Sequence, residues 1–375
     1  MNPDNSKNAL GGVLGLKPYE PGMPIEELQR KLGVPDAVKL ASNENPLGAS
    51  PKVAEALAAA AGGDLARYPD GSGFRLKKRL AELHGVDPSW ITLGNGSNDI
   101  LEFVARVWLG PGRASMFSAH AFAVYPIVTR AQSADAVVVP ALGADSAMPY
   151  GHDLDGFRAA LREDVTVVFV ANPNNPTGTW LEPDALSTFI AAVPSSTIVV
   201  LDEAYWDYMD PALRVESEAL LRAHPNLVVT RTFSKAYGLA GLRVGYGLSH
   251  PDVADLLNRV RQPFNNNSMA LLAAEAALED PAFVADTVTL CKDEIARLTP
   301  ALEGRGLTVL PSQANFITVD FGRDAAPIHQ GLLERGVIVR PTASYQMPNC
   351  LRVSLGTVAE DDRFLAALDE VLAAS

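Results

Sequence analysis

Short runs of β-branched and other apolar residues recur along the first two thirds of the chain, separated by longer segments with helical spacing. Five of these runs are continuous rather than alternating, at residues 90–94, 136–140, 165–171, 196–203 and 227–230. A continuous apolar run indicates a strand that is buried on both faces, as in a parallel sheet covered by helices. Helical spacing between the runs, for example at 99–109 and 182–192, therefore predicts an α/β fold with a mostly parallel sheet.

The pattern changes after about residue 250. A long helix is predicted over about 281–302, followed by short strand-like runs and a closing helix at 360–374, which together indicate a smaller α+β domain. The first 35 residues, with their prolines and glycines, are predicted to form an arm. The expected organisation is an N-terminal arm (1–35), a large domain (36–255) and a small C-terminal domain (256–375).

Composition narrows the classes of partner. The 375 residues carry a formal net charge of −13, which argues against nucleic acid or an anionic membrane as a partner. Two cysteines, no apolar run long enough for a membrane span and no apolar core of a signal peptide lead us to expect a soluble cytoplasmic protein. The six histidines lack metal-ligand spacing, so no metal site is expected.

Polar clusters follow the predicted strands at the places where those strands end. They read "GNGSND" (94–99), "NPNNPTG" (172–178), "DEAY" (202–205) and "RTFSK" (231–235). Ligands of open α/β sheets bind beyond the carboxyl ends of the strands, so four clusters at one edge predict a binding site.

The "GNGSND" cluster joins a predicted strand to a predicted helix through two glycines. Free backbone N–H groups at such a helix start suit a phosphate. Ser97 could equally be an ordinary helix cap, and the sequence does not decide between the two interpretations. The full dinucleotide fingerprint G-x-G-x-x-G is absent.

Lys235 stands just past an apolar strand, with Thr232, Ser234 and Arg243 around it as further anion ligands. Apolar surroundings and a second cation should lower the pKa of the lysine, which makes its amine a usable nucleophile. Asp202, at the end of another strand, is either a helix cap or a counter-charge for a protonated ring nitrogen. A lysine, phosphate ligands and a carboxylate are what pyridoxal phosphate requires.

The motifs at 172–178, 202–205, 232–247 and 351–356 resemble those of the fold-type I pyridoxal-phosphate aminotransferases. From about Tyr19 onward, "LASNENPLG" (40–48), "RYPDG" (67–71), "GNGSNDIL" (94–101) and "GVIVRP" (336–341) further resemble the histidinol-phosphate aminotransferase group. The resemblance implies the fold-type I transferase architecture, a large domain with a mostly parallel sheet plus a smaller α+β domain, and pyridoxal 5'-phosphate as cofactor.

The resemblance also implies roles for individual residues. Lys235 would form the Schiff base with the cofactor and move the proton between substrate and cofactor. Asp202 would keep the pyridine nitrogen protonated, while Asn175 and Tyr205 would bond the ring hydroxyl oxygen. The cofactor phosphate would be held by backbone amides and side chains of Ser97, Asn98, Thr232, Ser234 and Arg243.

Three further residues would bind substrate. Arg352 matches the family arginine that takes the substrate α-carboxylate, and Arg340 with Tyr19 would take a substrate phosphate. Tyr68 would reach the phosphate of the other subunit's cofactor, which predicts a homodimer.

Two positions depart from the pattern of the group. Where many members have Pro-Thr-Tyr, this chain reads "SAHAFAVYP" (118–126), so Phe122 replaces the tyrosine that stacks on the cofactor ring. Relatives that use phenylalanine or tyrosine share this form. The segment "TVAED" (357–361) more often ends in Glu-Asn.

The predicted reaction is reversible transfer of an amino group between L-histidinol phosphate and 2-oxoglutarate, giving imidazole acetol phosphate and L-glutamate in histidine biosynthesis. An aromatic amino-acid aminotransferase is the nearest alternative. A decarboxylase of the threonine-phosphate type is a second. A non-catalytic cofactor-binding regulator is disfavoured because the chain has no spare basic domain.

Overall fold

The structure is a computed structural model that describes residues 6–18, 22–34, 36–63 and 66–374. Tyr19, predicted to bind substrate, lies outside the described residues. The strands are β1 (Val38–Leu40), β2 (Ile91–Gly94), β3 (Ala114–Ser118), β4 (Asp135–Val139), β5 (Val165–Ala171), β6 (Ile198–Asp202), β7 (Leu227–Thr232), β8 (Gly245–Ser249), β9 (Thr308–Val309), β10 (Phe316–Asp320), β11 (Val337–Pro341) and β12 (Cys350–Ser354).

The helices are described by their first and last residues. They are Gly11–Leu14, Ile25–Leu32, Pro51–Ala60, Phe74–His84, Ser97–Trp108, Val124–Ala131, Leu154–Ala160, Pro183–Ala192, Ser217–Ala223, Pro251–Val260, Ser268–Leu278, Pro281–Glu303, Ala326–Glu334 and Val358–Ala373. Within the described ranges, no helix combines the length and apolarity needed to cross a bilayer.

The larger sheet has the order β2-β8-β7-β6-β5-β3-β4, and β8 alone among these strands runs antiparallel to its neighbours. Both faces are buried, because alternate residues of β5 enter two different cores: Val168 and Val170 on one face, Val167 and Phe169 on the other. The continuous apolar pattern of β5 follows directly from this double burial.

The apolar pattern did not predict β3 or β8. In β8 the reason is space, because a Cβ atom at Gly245 would lie 2.5 Å from the backbone nitrogen of Ser97. A Cβ at Gly247 would likewise lie 2.8 Å from the Ile100 side chain. The glycines that hide the strand in the sequence therefore let the helix Ser97–Trp108 pack closely on it.

The smaller sheet has the order β1-β11-β12-β10-β9. The helices Pro281–Glu303, Ala326–Glu334 and Val358–Ala373 contribute to its core, with Leu298, Leu332 and Leu368 fully buried. Its strands β11 and β12 pair with Arg340 opposite Arg352.

Two segments join the sheet that lies on the other side of a predicted domain boundary, and the boundaries themselves stay a prediction. Val38–Leu40, which was assigned to the large domain, pairs with β11 in the smaller sheet. The helix Ser268–Leu278, which was assigned to the small domain, packs by its apolar face into the core of the larger sheet. Both segments join the sheet that buries their apolar side chains, which sequence position does not reveal.

Candidate active site

A cleft open to solvent, with a cavity volume of about 190 Å³, lies at the carboxyl ends of β5, β6 and β7 and reaches to β11 and β12. The predicted residues Ser97, Asn98, Phe122, Asn175, Asp202, Tyr205, Thr232, Ser234, Lys235, Arg243, Arg340 and Arg352 all line it. The predicted site residue Tyr68 lies elsewhere. The cleft thus joins segments from both sheets, as expected for an open α/β fold.

Lys235 follows β7 and points its amine into the cleft. Its Nζ donates a hydrogen bond to the carbonyl oxygen of Ser42 at 3.1 Å and lies 5.7 Å from the centroid of the Tyr205 ring. Burial, with the nearby charges of Arg352 and Arg243, lowers the pKa of Lys235 to about 7. A large fraction of the amine is therefore neutral near pH 7, the state that attacks an aldehyde.

Asp202 ends β6 and is only 5% exposed. Its two carboxylate oxygens accept hydrogen bonds from the hydroxyls of Tyr125 and Thr230, each at 2.9 Å. Burial raises the pKa of Asp202, and both hydroxyls oppose that rise. Among the described residues no lysine or arginine forms an ion pair with Asp202, so its charge suits a cation brought by a ligand.

Tyr205 belongs to a buried network that sequence analysis did not assign. The side chain of Asn43 donates to the Tyr205 hydroxyl at 2.8 Å, and Asn43 is itself held by Ser354. Burial raises the pKa of Tyr205 to about 12, while the charge of Arg352 opposes the rise. The hydroxyl therefore keeps its proton and can donate it in a hydrogen bond. The quoted motif "LASNENPLG" contained Asn43, but nothing in the sequence connected it with Tyr205.

Arg352 is buried at the junction of the two sheets. It donates from Nη1 to Asn175 Oδ1 and from Nη2 to the carbonyl oxygen of Ala41, the latter at 2.7 Å. Its guanidinium carbon also lies 5.2 Å from the centroid of the Phe316 ring. These contacts fix the orientation of the planar group, which can then bind a carboxylate with two parallel hydrogen bonds.

The start of the helix Ser97–Trp108 forms a pocket with Arg243. Gly96 precedes the helix at φ +80°, and a Cβ there would come within 2.5 Å of Arg243 Nη2. Arg243 itself has φ +57° and donates to the Ser234 hydroxyl at 3.2 Å. No side-chain cap bond is made at this helix start, which favours the anion-binding interpretation over a cap by Ser97.

Phe122 lines the cleft and meets Tyr125 edge to face, with ring centroids 5.8 Å apart. Tyr125 is fully buried, stacks on Phe169 at 4.7 Å and bonds Asp202. The motif "SAHAFAVYP" assigns no function to Tyr125, because the 77 residues that separate it from Asp202 conceal the contact.

Tyr68 lies outside the cleft with 81% of its surface exposed. Its ring stacks on Phe264, with centroids 4.6 Å apart and planes 19° apart. A large aromatic side chain in this position has little packing role within one chain.

The donor set of the cleft fits pyridoxal phosphate. A half-neutral lysine can bind the aldehyde, an unpaired buried carboxylate can bind a protonated ring nitrogen, and Tyr205 can bond the ring oxygen. The space that Gly96 leaves beside Arg243 and Ser234 suits the phosphate.

Comparisons with known proteins agree with this chemistry. The family described as aminotransferase class I and II matches residues 35–368. The chain is 56% identical over 367 residues to histidinol-phosphate aminotransferase 2 of Pseudomonas aeruginosa, covering 97% of this chain and 98% of the relative. It is 55% identical over the full length of both chains to the enzyme of that name from Pseudomonas fluorescens.

A similar solved structure is histidinol-phosphate aminotransferase from Sinorhizobium meliloti, in complex with pyridoxal-5'-phosphate. It matches with a TM-score of 0.89 and 32% sequence identity, and the match covers 98% of each chain.

Proposed function

Because this chain belongs to the aminotransferase class I and II family, it is a pyridoxal-phosphate-dependent transaminase, and we propose that its substrates are L-histidinol phosphate and 2-oxoglutarate. The observation that carries the proposal is the pair of arginines, Arg340 and Arg352, on adjacent strands at the cleft. Two cations match two anionic groups, the phosphate of one substrate and the α-carboxylate of glutamate. The names of the relatives support the same reaction in histidine biosynthesis.

When bound, pyridoxal phosphate supplies an aldehyde that bonds to amines and a ring that accepts the electron pair released from a Cα–H bond. Lys235 would hold the cofactor through that aldehyde with its partly neutral amine, and its Nζ would be the group that carries the proton of the substrate Cα. Asp202, held by Tyr125 and Thr230, keeps the ring nitrogen protonated by its negative charge.

Tyr205 and Asn175 would hold the ring oxygen, and Phe122 would stack on the ring. Phenylalanine provides the aromatic face that stacking requires, so the missing hydroxyl does not prevent this role. The cofactor phosphate would be bound by Arg243, Ser234, Thr232 and the backbone at the start of the helix Ser97–Trp108.

We also propose that the enzyme works as a homodimer in the cytoplasm. Four exposed large apolar side chains are Leu47, Tyr68, Phe74 and Phe264. Arg243 of the phosphate pocket is also exposed within the single chain. A second copy that covered them could bring its Tyr68 to the cofactor phosphate, as the family resemblance implies.

The test is a half-reaction with each amino donor. The holoenzyme is mixed separately with L-histidinol phosphate and L-phenylalanine, and the absorbance of the bound cofactor is followed as it passes from the aldehyde to the amine form. We expect much faster conversion with histidinol phosphate. Faster conversion with phenylalanine would instead assign the protein to the aromatic aminotransferases.

Arg340→Ala sharpens this test. Loss of the cation should lower kcat/KM for histidinol phosphate by at least about 10-fold more than for phenylalanine, since a charged hydrogen bond contributes about 1.5–3 kcal/mol. The matched control is Arg335→Ala, which removes an arginine paired with Glu370 at 2.8 Å outside the cleft. Equal losses for both donors would contradict the role of Arg340.

A further inference from the structure

The segment 261–267, which reads "RQPFNNN", lies between the loop that carries Tyr68 and the phosphate pocket of the same chain. On one side, two contacts join this segment to the loop that carries Tyr68. Phe264 stacks on the Tyr68 ring, and Arg261 Nη2 donates to the carbonyl oxygen of Gly71 at 2.5 Å. Asp70 further closes the loop by accepting bonds from Ser72 and Phe74.

On its other side the segment holds the turn before the helix Ser97–Trp108. Asn265 Nδ2 donates to Asp99 Oδ2 at 2.9 Å, and that same oxygen accepts the backbone N–H of Asn95 at 2.8 Å. Asn266 Nδ2 donates to the carbonyl oxygen of Gly94 at 2.8 Å. Through these bonds, segment 261–267 connects the exposed tyrosine with the phosphate pocket.

Phe264 has a conformation that its own side chain disfavours. Its φ is +57°, in the left-handed region that is unfavourable for a non-glycine residue. Its ring is 45% exposed, and a Cβ on Gly71 would lie 3.2 Å from it. The ring therefore gains little burial in a core, and its principal contacts are Tyr68 and the Gly71 turn. A strained residue held in this way indicates function rather than folding alone.

We propose that Phe264 is a positioning residue, which fixes the ring of Tyr68 at the angle needed to reach the partner subunit's cofactor phosphate. The proposal rests on the homodimer proposed above. It assigns to Phe264 an effect in trans: its loss is felt in the partner's active site and not in that of its own subunit.

Mixed dimers provide the test. Two tagged forms of the chain are co-expressed, one of which carries Lys235→Ala, so that a mixed dimer has one active site. Phe264→Leu is placed either in the silent subunit, whose Tyr68 serves the active site, or in the active subunit itself. The two readouts are kcat/KM and the rate at which Lys235-bound cofactor is lost to a scavenger.

With Phe264→Leu in the silent subunit, we expect cofactor loss to be about 3- to 10-fold faster, because a hydrogen bond to phosphate is weakened. With Phe264→Leu in the active subunit, both readouts should match the unsubstituted mixed dimer. Phe264→Tyr in the silent subunit keeps the stacked ring and should restore the slow rate. Equal effects in both placements, or none in either, would overturn the proposal.

Tyr68→Phe in the same two placements separates this inference from the homodimer on which it rests. If Tyr68→Phe acts from the silent subunit and Phe264→Leu does not, the dimer stands and the positioning role is wrong. If Tyr68→Phe has no effect from the silent subunit, the crossing of Tyr68 itself is wrong. Thermal midpoints of all the mixed dimers distinguish both results from misfolding.

Discussion

Asp202 and Glu203 are adjacent in sequence and both are almost completely buried, yet their carboxylates have different partners. Glu203 forms an ion pair with Arg231 at 2.8 Å and also accepts a bond from the Ser217 hydroxyl. Asp202, which faces the cleft, receives the neutral hydroxyls of Tyr125 and Thr230 and the backbone N–H of Ala204, and it has no ion pair with any described lysine or arginine. One carboxylate has its charge balanced within the fold, and the other keeps its charge available.

The difference shows how a buried charge can mark function. A buried carboxylate without a cation is costly, and folding gains nothing from leaving it so. A structural role is better served by the arrangement around Glu203, where Arg231 also covers the Trp206 ring at 3.8 Å and Arg214 lies 4.0 Å from the same ring. A cationic ligand is therefore expected beside Asp202, on the side of the strand end where the carboxylate charge is not balanced by a described lysine or arginine.

Asp202→Asn should lower activity, whereas Glu203→Gln should lower stability. Asp202→Asn removes the charge that holds the ring nitrogen protonated, so kcat/KM should fall by about 100- to 1,000-fold. Glu203→Gln leaves Arg231 buried without its partner, so the free energy of unfolding should fall by about 3–5 kcal/mol.

Steady-state kinetics and urea unfolding of both variants check this pair of predictions. Asp202→Asn should unfold at the same urea concentration as the unsubstituted protein or at a higher one, and the folded fraction of Glu203→Gln should keep most of its activity. If both variants lost activity equally with no change in stability, the contrast between the two carboxylates would be wrong.

Tyr125→Phe should have a smaller effect on the cleft side. The variant keeps the ring that stacks on Phe169 and loses one donor to the charged form of Asp202. The pKa of Asp202 then rises further, so the acid limb of the pH–rate profile should move to higher pH and kcat/KM should fall about 10-fold.

Tyr150→Phe is the matched control for this change, because its hydroxyl bonds Asp320 at 3.4 Å outside the cleft lining. It should leave the pH–rate profile in place. An unchanged acid limb in Tyr125→Phe would mean that its hydroxyl does not tune Asp202.

A third buried carboxyl, Asp361, extends the comparison to the smaller sheet. The Asp361 carboxyl accepts the Gly356 N–H at 3.1 Å and faces the Glu294 carboxylate. Arg297 in turn binds Glu294, and Cys291 lies near Asp361. Burial and the neighbouring carboxylate raise the pKa of Asp361 to about 8. The folded state thus binds a proton that the unfolded state releases above about pH 4. Stability contributed here is present at low pH and is lost as the pH rises to about 8.

Asp361→Asn supplies a permanent donor toward Glu294 and should therefore be the more stable protein. Its advantage should grow between pH 6 and pH 8 by up to about 1.4 kcal/mol per pH unit, and should stay constant above the pKa. Unfolding midpoints across that pH range measure the effect, with the exposed Asp362→Asn as control. If the unfolding midpoints of Asp361→Asn and of the unsubstituted protein changed with pH in the same way, the proton held between Asp361 and Glu294 would be contradicted.

The fold class predicted from the alternation of strands and helices is confirmed, and so is the family. The five apolar runs correspond to β2, β4, β5, β6 and β7, and the runs of β5, β6 and β7 are continuous because these strands are buried on both faces. The strands β3 and β8 escaped, the latter because close approach of a helix requires glycine in it. Local sequence therefore shows strands with continuous apolar runs both inside the sheet and at its edges, and it misses a strand in which close packing requires glycine.

The site was predictable to the extent that its residues follow strands. Lys235 and Asp202 were found in this way, since strand ends converge at one edge, whereas Arg352 was identified through the family resemblance. Asn43 and Tyr125 were not, because each acts through a partner far away along the chain. The departure at "TVAED" has a physical counterpart: a protonated Asp361 presents the same kind of donor as the asparagine of the group.

The pairing of β1 with the smaller sheet connects that sheet to Lys235. Ser42 lies two residues beyond the end of β1, and its carbonyl oxygen accepts the bond from the lysine amine. The position of the smaller sheet therefore fixes, through two peptide units, the oxygen that stabilises the ammonium form of Lys235. The basicity of this lysine is thus set by the larger and the smaller sheet together.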